Sequence, residues 1–314
     1  MKKVLYFFIC SVLVGIGVSY LVSNGLSKNW LNLWPISAGM IGLIFLPKSS
    51  LRLKSVYVLV SLAVVSLLIF RGYWPEGKIP INGMLVGLFF IVIYLIKKHP
   101  LKSIGLTSNL FNVNNITMAA FLGLGPHIIT YIILFFKNSN CLTVNPKWEF
   151  LEQPAYGVLS IFTSFFILML NNIVGEELGW RGYFVNTARG RFSRSSFIWL
   201  NVLLFSLWHL PYDILILKMD IVNLLINQAS RVLSGLVFFY VFILFDSSVL
   251  LVSITHSFSN LFLYNIVSAK GPFSSHFSGI EGLVYVGLYF VSLLVVVVFL
   301  KIKTKNKIDL FNTK

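Results

Sequence analysis

Six residues on three apolar stretches of the sequence have the types and spacing for peptide-bond chemistry. Glu176 and Glu177 stand side by side at the end of one stretch, and Arg181 follows Glu177 by four residues. His209 lies in a second stretch, four residues after Phe205, and His256 lies in a third, with Asn260 four residues later. A separation of four puts two side chains on one helix face, so Glu177 can pair with Arg181, and His256 shares a face with Asn260. In an α-helix Glu176 then points about 100° away from Glu177 and is free for another task. Two adjacent carboxylates in a partly dry site repel one another, which suits one of them to take up a proton as a general base. A carboxylate and a neutral imidazole can hold and deprotonate a water, and an imidazole with a carboxamide can donate to the oxyanion that forms on a scissile carbonyl. Such chemistry needs no serine or cysteine nucleophile. Taken alone, the two glutamates and Arg181 would serve equally as an interfacial salt-bridge patch, and it is the histidines on separate stretches that favour a site.

The elements that must carry these residues are membrane helices. Of the 314 residues, 57% are hydrophobic and 11% charged, where a soluble domain has roughly 25% charged. Spanning about 30 Å of hydrocarbon takes roughly 20 apolar residues. Ten apolar segments are predicted, at 4–21, 31–46, 55–70, 81–96, 116–136, 156–174, 197–217, 221–245, 249–267 and 283–300. The second carries Pro35 and a few are short, so the expected fold is an all-α, polytopic bundle of about 8–10 spans. The first segment, after Met1-Lys2-Lys3, lacks an obvious small-residue cleavage site and reads as a retained helix.

The net charge is +15, but the basic residues sit at segment ends and not on one soluble face. Anionic lipid headgroups are therefore the expected contact, and nucleic acid is not. Lys48, Arg52 and Lys54, then Lys97, Lys98 and Lys102, then Arg181, Arg189, Arg191 and Arg194, and finally Lys301, Lys303, Lys305 and Lys307 mark alternate loops. That alternation predicts both termini in the cytoplasm and a cavity open toward that side. The Asp246-Ser247 turn is the one inside loop without a positive charge. Cys10 and Cys141 suggest neither a disulfide nor a metal site.

Ionisable groups at membrane depth are usually functional or paired. Of ten acidic residues, Glu76, Glu149, Glu152, Asp220, Glu281 and Asp309 fall in loops or tails and Asp246 in a turn. Asp213 sits within the seventh segment after Pro211, and Glu176 and Glu177 continue directly from the sixth. Among the histidines, His99 and His276 lie in loops, and His127, after Pro126, reads as a satisfied core residue at a helix kink.

Glu176-Glu177-Leu178-Gly179-Trp180-Arg181-Gly182-Tyr183 resembles the EExxxR motif of the CPBP family, the CAAX-processing and bacteriocin-processing intramembrane proteases. Phe205 to His209 resembles that family's FxxxH, in a Trp208-His209-Leu210-Pro211 context, and His256 to Asn260 its HxxxN. The three stand in the family's order over roughly residues 157–267, which suggests N-terminal helices at 1–150, a protease core at 151–270, and a last helix with a basic tail at 271–314.

The resemblance implies that Glu176 with His209 activates the attacking water, that His256 and Asn260 stabilise the oxyanion, and that Glu177 and Arg181 orient the site or assist the leaving group. It implies a peptide or protein substrate in the membrane, prenylated in the family's eukaryotic members, and roles in bacteriocin maturation, immunity or regulation in its bacterial members. A bacterial cell membrane is the expected location. No cofactor is expected, although Glu176, His209 and His256 could also ligate zinc, since the missing HExxH pattern excludes only one zinc architecture. The rival classes are a non-catalytic membrane regulator and a proton-relay transporter, the latter without the inverted repeats such transporters carry. The sequence assigns no oligomeric state.

Overall fold

In hydrocarbon a chain must satisfy its own backbone N–H and C=O groups, and among the described residues every element is a helix. The computed structural model describes residues 2–26, 33–44, 105, 112–136, 162, 165, 166, 168–261 and 280–312. The predicted segments 55–70 and 81–96, both proposed domain boundaries, His99, His276 and Cys141 lie outside them. The helices are α1 (Lys2–Ser23), α2 (Leu33–Ile44), α3 (Val113–Phe136), a π-helix π1 (Asn172–Val185), α4 (Arg194–Trp208), α5 (Leu210–Leu215), α6 (Ile221–Leu244), α7 (Val249–Leu261) and α8 (Ile280–Asn312). Four helical stretches among the described residues are long and apolar enough to cross a membrane: Lys2–Ser23, Arg194–Leu215, Ile221–Leu244 and Gly287–Lys305. The protein is an integral membrane protein of the all-α class.

The outer surface is apolar and the interior carries the polar groups. Leu13 and Tyr20 on α1, Leu203 on α4, Leu225 on α6 and Ile302 on α8 are exposed, as residues facing lipid should be. Glu177, Arg181, Asn201, Asp213, Ser253, Thr255 and Ser257 are fully buried. The fold turns its costly side chains toward one another because lipid cannot satisfy them.

π1 lies at the centre, and every one of its residues is buried. A π-helix has a wider turn than an α-helix, is rare, and occurs frequently at functional sites. This departs from the sequence reading, in which Glu176-Glu177 closes an α-helical segment. The buried helix instead continues through Leu178, Trp180, Tyr183 and Phe184 to Val185, so the pair lies within the packed helix and not at its end. Among the described helices, α2 and π1 pack together most extensively. Gly179 makes this approach possible, because a Cβ there would lie 2.7 Å from the Ala38 carbonyl oxygen. α3 meets α7 in the same way: a Cβ on Gly123 would collide with the Thr255 carbonyl, and the Thr255 hydroxyl donates to Ala119 O at 3.0 Å. Small residues allow close helix contact where no hydrophobic drive exists between helices.

The predicted seventh segment divides into α4 and α5, with His209 at the junction and Pro211 in the first turn beyond it. Proline lacks the N–H that would continue the ladder, so the chain turns there. α6 then starts at Asp220, whose carboxylate accepts from the Val222 and Asn223 N–H groups, both at 3.0 Å. Hydrogen bonds from Asn223, and from the Val222 amide, hold that exposed carboxyl below the usual carboxylate range.

At the other end of α6, Lys307 of α8 donates to Leu244 O at 2.7 Å and pairs with Asp246 at 2.9 Å. The turn without a positive charge of its own thus receives one from the basic C-terminal segment. The Val249 N–H donates to Gly105 O at 2.7 Å. The Asp246 turn, Gly105 and the end of α8 therefore share one end of the bundle.

His127 is buried in α3, with Nε2 3.1 Å from the Ser259 hydroxyl and its ring stacked on Tyr289 at 4.7 Å. It is a buried core histidine, as the sequence suggests.

Candidate active site

Three elements deliver the six residues. π1 carries Glu176, Glu177 and Arg181, the α4–α5 junction carries His209, and α7 carries His256 and Asn260. The structure brings the first five together in two groups, Glu177 with Arg181 and His256, and Glu176 facing His209. Asn260 lies one turn beyond His256, half-buried, and makes no hydrogen bond to the other five.

Glu177 is the hub of one half. Both its oxygens face Arg181, with Nε 3.3 Å from Oε2 and Nη1 3.4 Å from Oε1. His256 Nδ1 donates to Glu177 Oε1 at 2.7 Å. Glu177 and Arg181 are both fully buried, and a buried charge is tolerable only when paired and hydrogen-bonded. Two rings complete the enclosure. The Arg181 guanidinium lies 4.3 Å from the Phe205 ring centroid and 5.4 Å from that of Phe238, within cation–π range. Its Nη2 also reaches Gly235 O at 3.5 Å. Phe238 stacks on His256 at 4.4 Å and 28° between planes. One phenyl ring of α6 thus touches both the cation of π1 and the imidazole of α7.

Glu176 and His209 make the other half. Glu176 Oε2 stands 3.8 Å from His209 Nε2, beyond direct hydrogen-bonding distance. That oxygen is buried and accepts no hydrogen bond from the described residues. His209 is oriented from behind: its Nδ1 lies 2.8 Å from Phe205 O. A carbonyl oxygen only accepts, so Nδ1 carries the proton, and in the neutral ring Nε2 is a bare acceptor. The ring is held edge-on by Phe205 at 4.8 Å, Trp208 at 4.9 Å and Trp34 of α2 at 5.7 Å. The first residue of FxxxH therefore has three tasks: its carbonyl sets the His209 tautomer, its ring walls His209, and its face holds Arg181.

The pairings divide the titratable groups three and two. Among the described residues no three His, Cys, Asp or Glu side chains converge in a group able to hold a metal ion.

Two parts of this surrounding escape the motif reading. Phe238 carries no signal in one sequence, since it is one aromatic among many on α6. Asp213 and Arg231 do. Arg231 is the one basic residue within the segment 221–245, and a census that included arginines would single it out. It forms a two-pronged pair with the buried Asp213, which Gln228 also contacts at 2.7 Å.

Residues 158–262 match the family model described as Type II CAAX prenyl endopeptidase Rce1-like. The match spans about a third of the chain and takes in all six residues. It is consistent with the CPBP resemblance, and the matched family is one of proteases, whose substrates are peptides or proteins. No curated protein matches the chain.

Proposed function

We propose that this chain is an intramembrane endopeptidase in which Glu176 and His209 activate a water against a peptide bond of a membrane-borne, lipidated or secreted peptide. One observation carries the reading: within the matched segment, two acceptor atoms, Glu176 Oε2 and His209 Nε2, face one another 3.8 Å apart. A single water can lie about 2.8 Å from both and donate one hydrogen to each. Its lone pair is then directed away from the two acceptors, toward an incoming carbonyl.

The water oxygen attacks the carbonyl carbon as one of its protons passes to Glu176, with His209 holding the other hydrogen. The carbonyl becomes an oxyanion, which His256 and Asn260 stabilise from one face of α7. For His256 to donate from Nε2 while Nδ1 serves Glu177, the ring must carry both protons, and the Glu177 carboxylate balances that charge. The C–N bond then breaks, the proton on Glu176 passes to the departing amine, the remaining hydroxyl proton leaves through His209 to that amine, and the products are a carboxylate and an ammonium group. Glu177 and Arg181 act by fixing His256 and by closing the dry side of the site.

This mechanism uses no metal. Its rival is zinc held by Glu176, His209 and His256. The loop charges favour cytoplasmic termini and substrate entry from that side. Maturation of a bacteriocin, or self-immunity to one, is the cellular role we favour, from the family resemblance.

The test uses purified protein and an internally quenched, farnesylated CAAX peptide, beside a comparison of membrane and secreted peptides in wild-type and Glu176→Ala cells. The expected result is cleavage that survives chelation and is lost in the variant. Stoichiometric zinc whose removal abolishes cleavage would overturn the metal-free mechanism. A Glu176→Ala strain that accumulates the protein normally and keeps the wild-type peptide pattern would leave a binding role in its place.

A further inference from the structure

Asp213, Arg231 and Gln228 belong to neither half of the site, yet they grip the chain on both sides of His209. Asp213 lies four residues after His209, is fully buried, and its own N–H donates to the His209 carbonyl at 3.2 Å. Its carboxylate takes both prongs of the Arg231 guanidinium and the Gln228 amide. Ser206, three residues before His209, donates to the Gln228 side-chain oxygen at 2.6 Å and to the Gln228 carbonyl at 3.1 Å. Gln228 and Arg231 are neighbours on one face of α6, so one face of one helix holds the end of α4 and the start of α5 together.

His209 is the residue that needs such a device. It has left the α4 ladder, with its N–H bonded to Ser206 O at 3.1 Å instead of continuing the α pattern. Its Nδ1 proton reaches Phe205 O only while the junction keeps its present bend. A ring released from that carbonyl would be free to carry its proton on Nε2, the atom that faces Glu176, and would no longer be an acceptor there.

We infer that Asp213, Arg231 and Gln228 form a positioning network that locks the α4–α5 junction and so fixes His209 in the Nδ1–H tautomer. The inference rests on the proposed role of His209 only for its consequence in catalysis, since the tautomer itself can be read without any substrate.

The test is the 15N spectrum of histidine-labelled full-length protein in detergent, with His209 assigned by its loss in His209→Gln. Arg231→Met removes the charge, Arg231→Lys keeps it without the two-pronged fork, and Gln228→Ala cuts the Ser206 link while leaving the ion pair. Asp246→Asn, in the pair at the end of the bundle, is the control. The wild type and the control are expected to show one tautomer. Arg231→Met should place about a third or more of the folded population in the Nε2–H form, Gln228→Ala should place less, and Arg231→Lys should recover most of the wild-type signal. Should Arg231→Met fail to fold, Gln228→Ala decides the question alone. A folded Arg231→Met or Gln228→Ala protein with lowered melting temperature and an unchanged His209 tautomer would reduce the network to a structural brace. Cleavage of the farnesylated peptide by Glu176→Ala at the wild-type rate would overturn the water-activating role of Glu176 and leave the tautomer result standing.

Discussion

Glu176 and Glu177 are neighbours in sequence and opposites in setting. Glu177 is completely enclosed, with Arg181 and His256 on its oxygens and two phenyl rings around its cation. Glu176 is 8% exposed and directs an oxygen without a hydrogen-bond partner across 3.8 Å to His209. The chemistry of the two side chains is identical, so the difference comes from which helix each one faces. A carboxylate paired with a buried cation is framework, whereas one that faces a second bare acceptor is, in the proposed mechanism, placed to receive the attacking water. In the proposed mechanism the adjacent acids are therefore a structural charge and a working charge, not a catalytic pair.

That division can be broken by mutation. Glu177→Ala leaves Arg181 and His256 beside an empty space in a dry interior. Removing one partner of a buried pair costs about 3–5 kcal/mol, so the melting temperature in detergent should fall sharply and activity with it. A variant that melts like the wild type would show that Glu177 is not the framework residue. Asn260→Ala should leave the fold intact and lower kcat by about 10²–10³, the effect of losing one oxyanion donor. A loss confined to KM would assign Asn260 to substrate binding. Gly179→Ala should cost about 1–3 kcal/mol, because the new methyl meets Ala38 backbone atoms at under 3 Å and must push α2 from π1. Thermal melting would read this, and an unchanged midpoint would mean that the α2–π1 contact is looser than its geometry. The smallest effect is expected at Asp246→Asn, whose exposed pairing with Lys307 should contribute under about 1 kcal/mol.

The sequence makes one layer of this site legible and hides another. Pairs separated by four residues are local, so Glu177 with Arg181 and Phe205 with His209 can be read from spacing, and contacts at 3.3 Å and 2.8 Å bear out that proximity. The helical class follows from composition, because apolar segments of this length have few alternatives in a bilayer. The enclosure of Arg181 by rings from two other helices depends on how those helices pack, which spacing within one helix does not encode. The π form of π1 is similarly hidden, since its sequence fits an α-helix as well. Pro211 is a visible breaker, but the contacts that tie Asp213 to α6 beyond it are not encoded in local spacing. The same contacts explain why Asp213, an acid at membrane depth, needs no part in the chemistry: its charge is met by Arg231.

The most direct test of the division between the two acids is the turnover of Glu176→Gln, measured on the farnesylated peptide beside its melting curve. Glutamine keeps the shape of the side chain and cannot take the proton. The expected result is a melting temperature close to that of the wild type and a kcat lower by about 10²–10⁴, the range for loss of a general base. A Glu176→Gln protein that turns over at the wild-type rate would contradict that division.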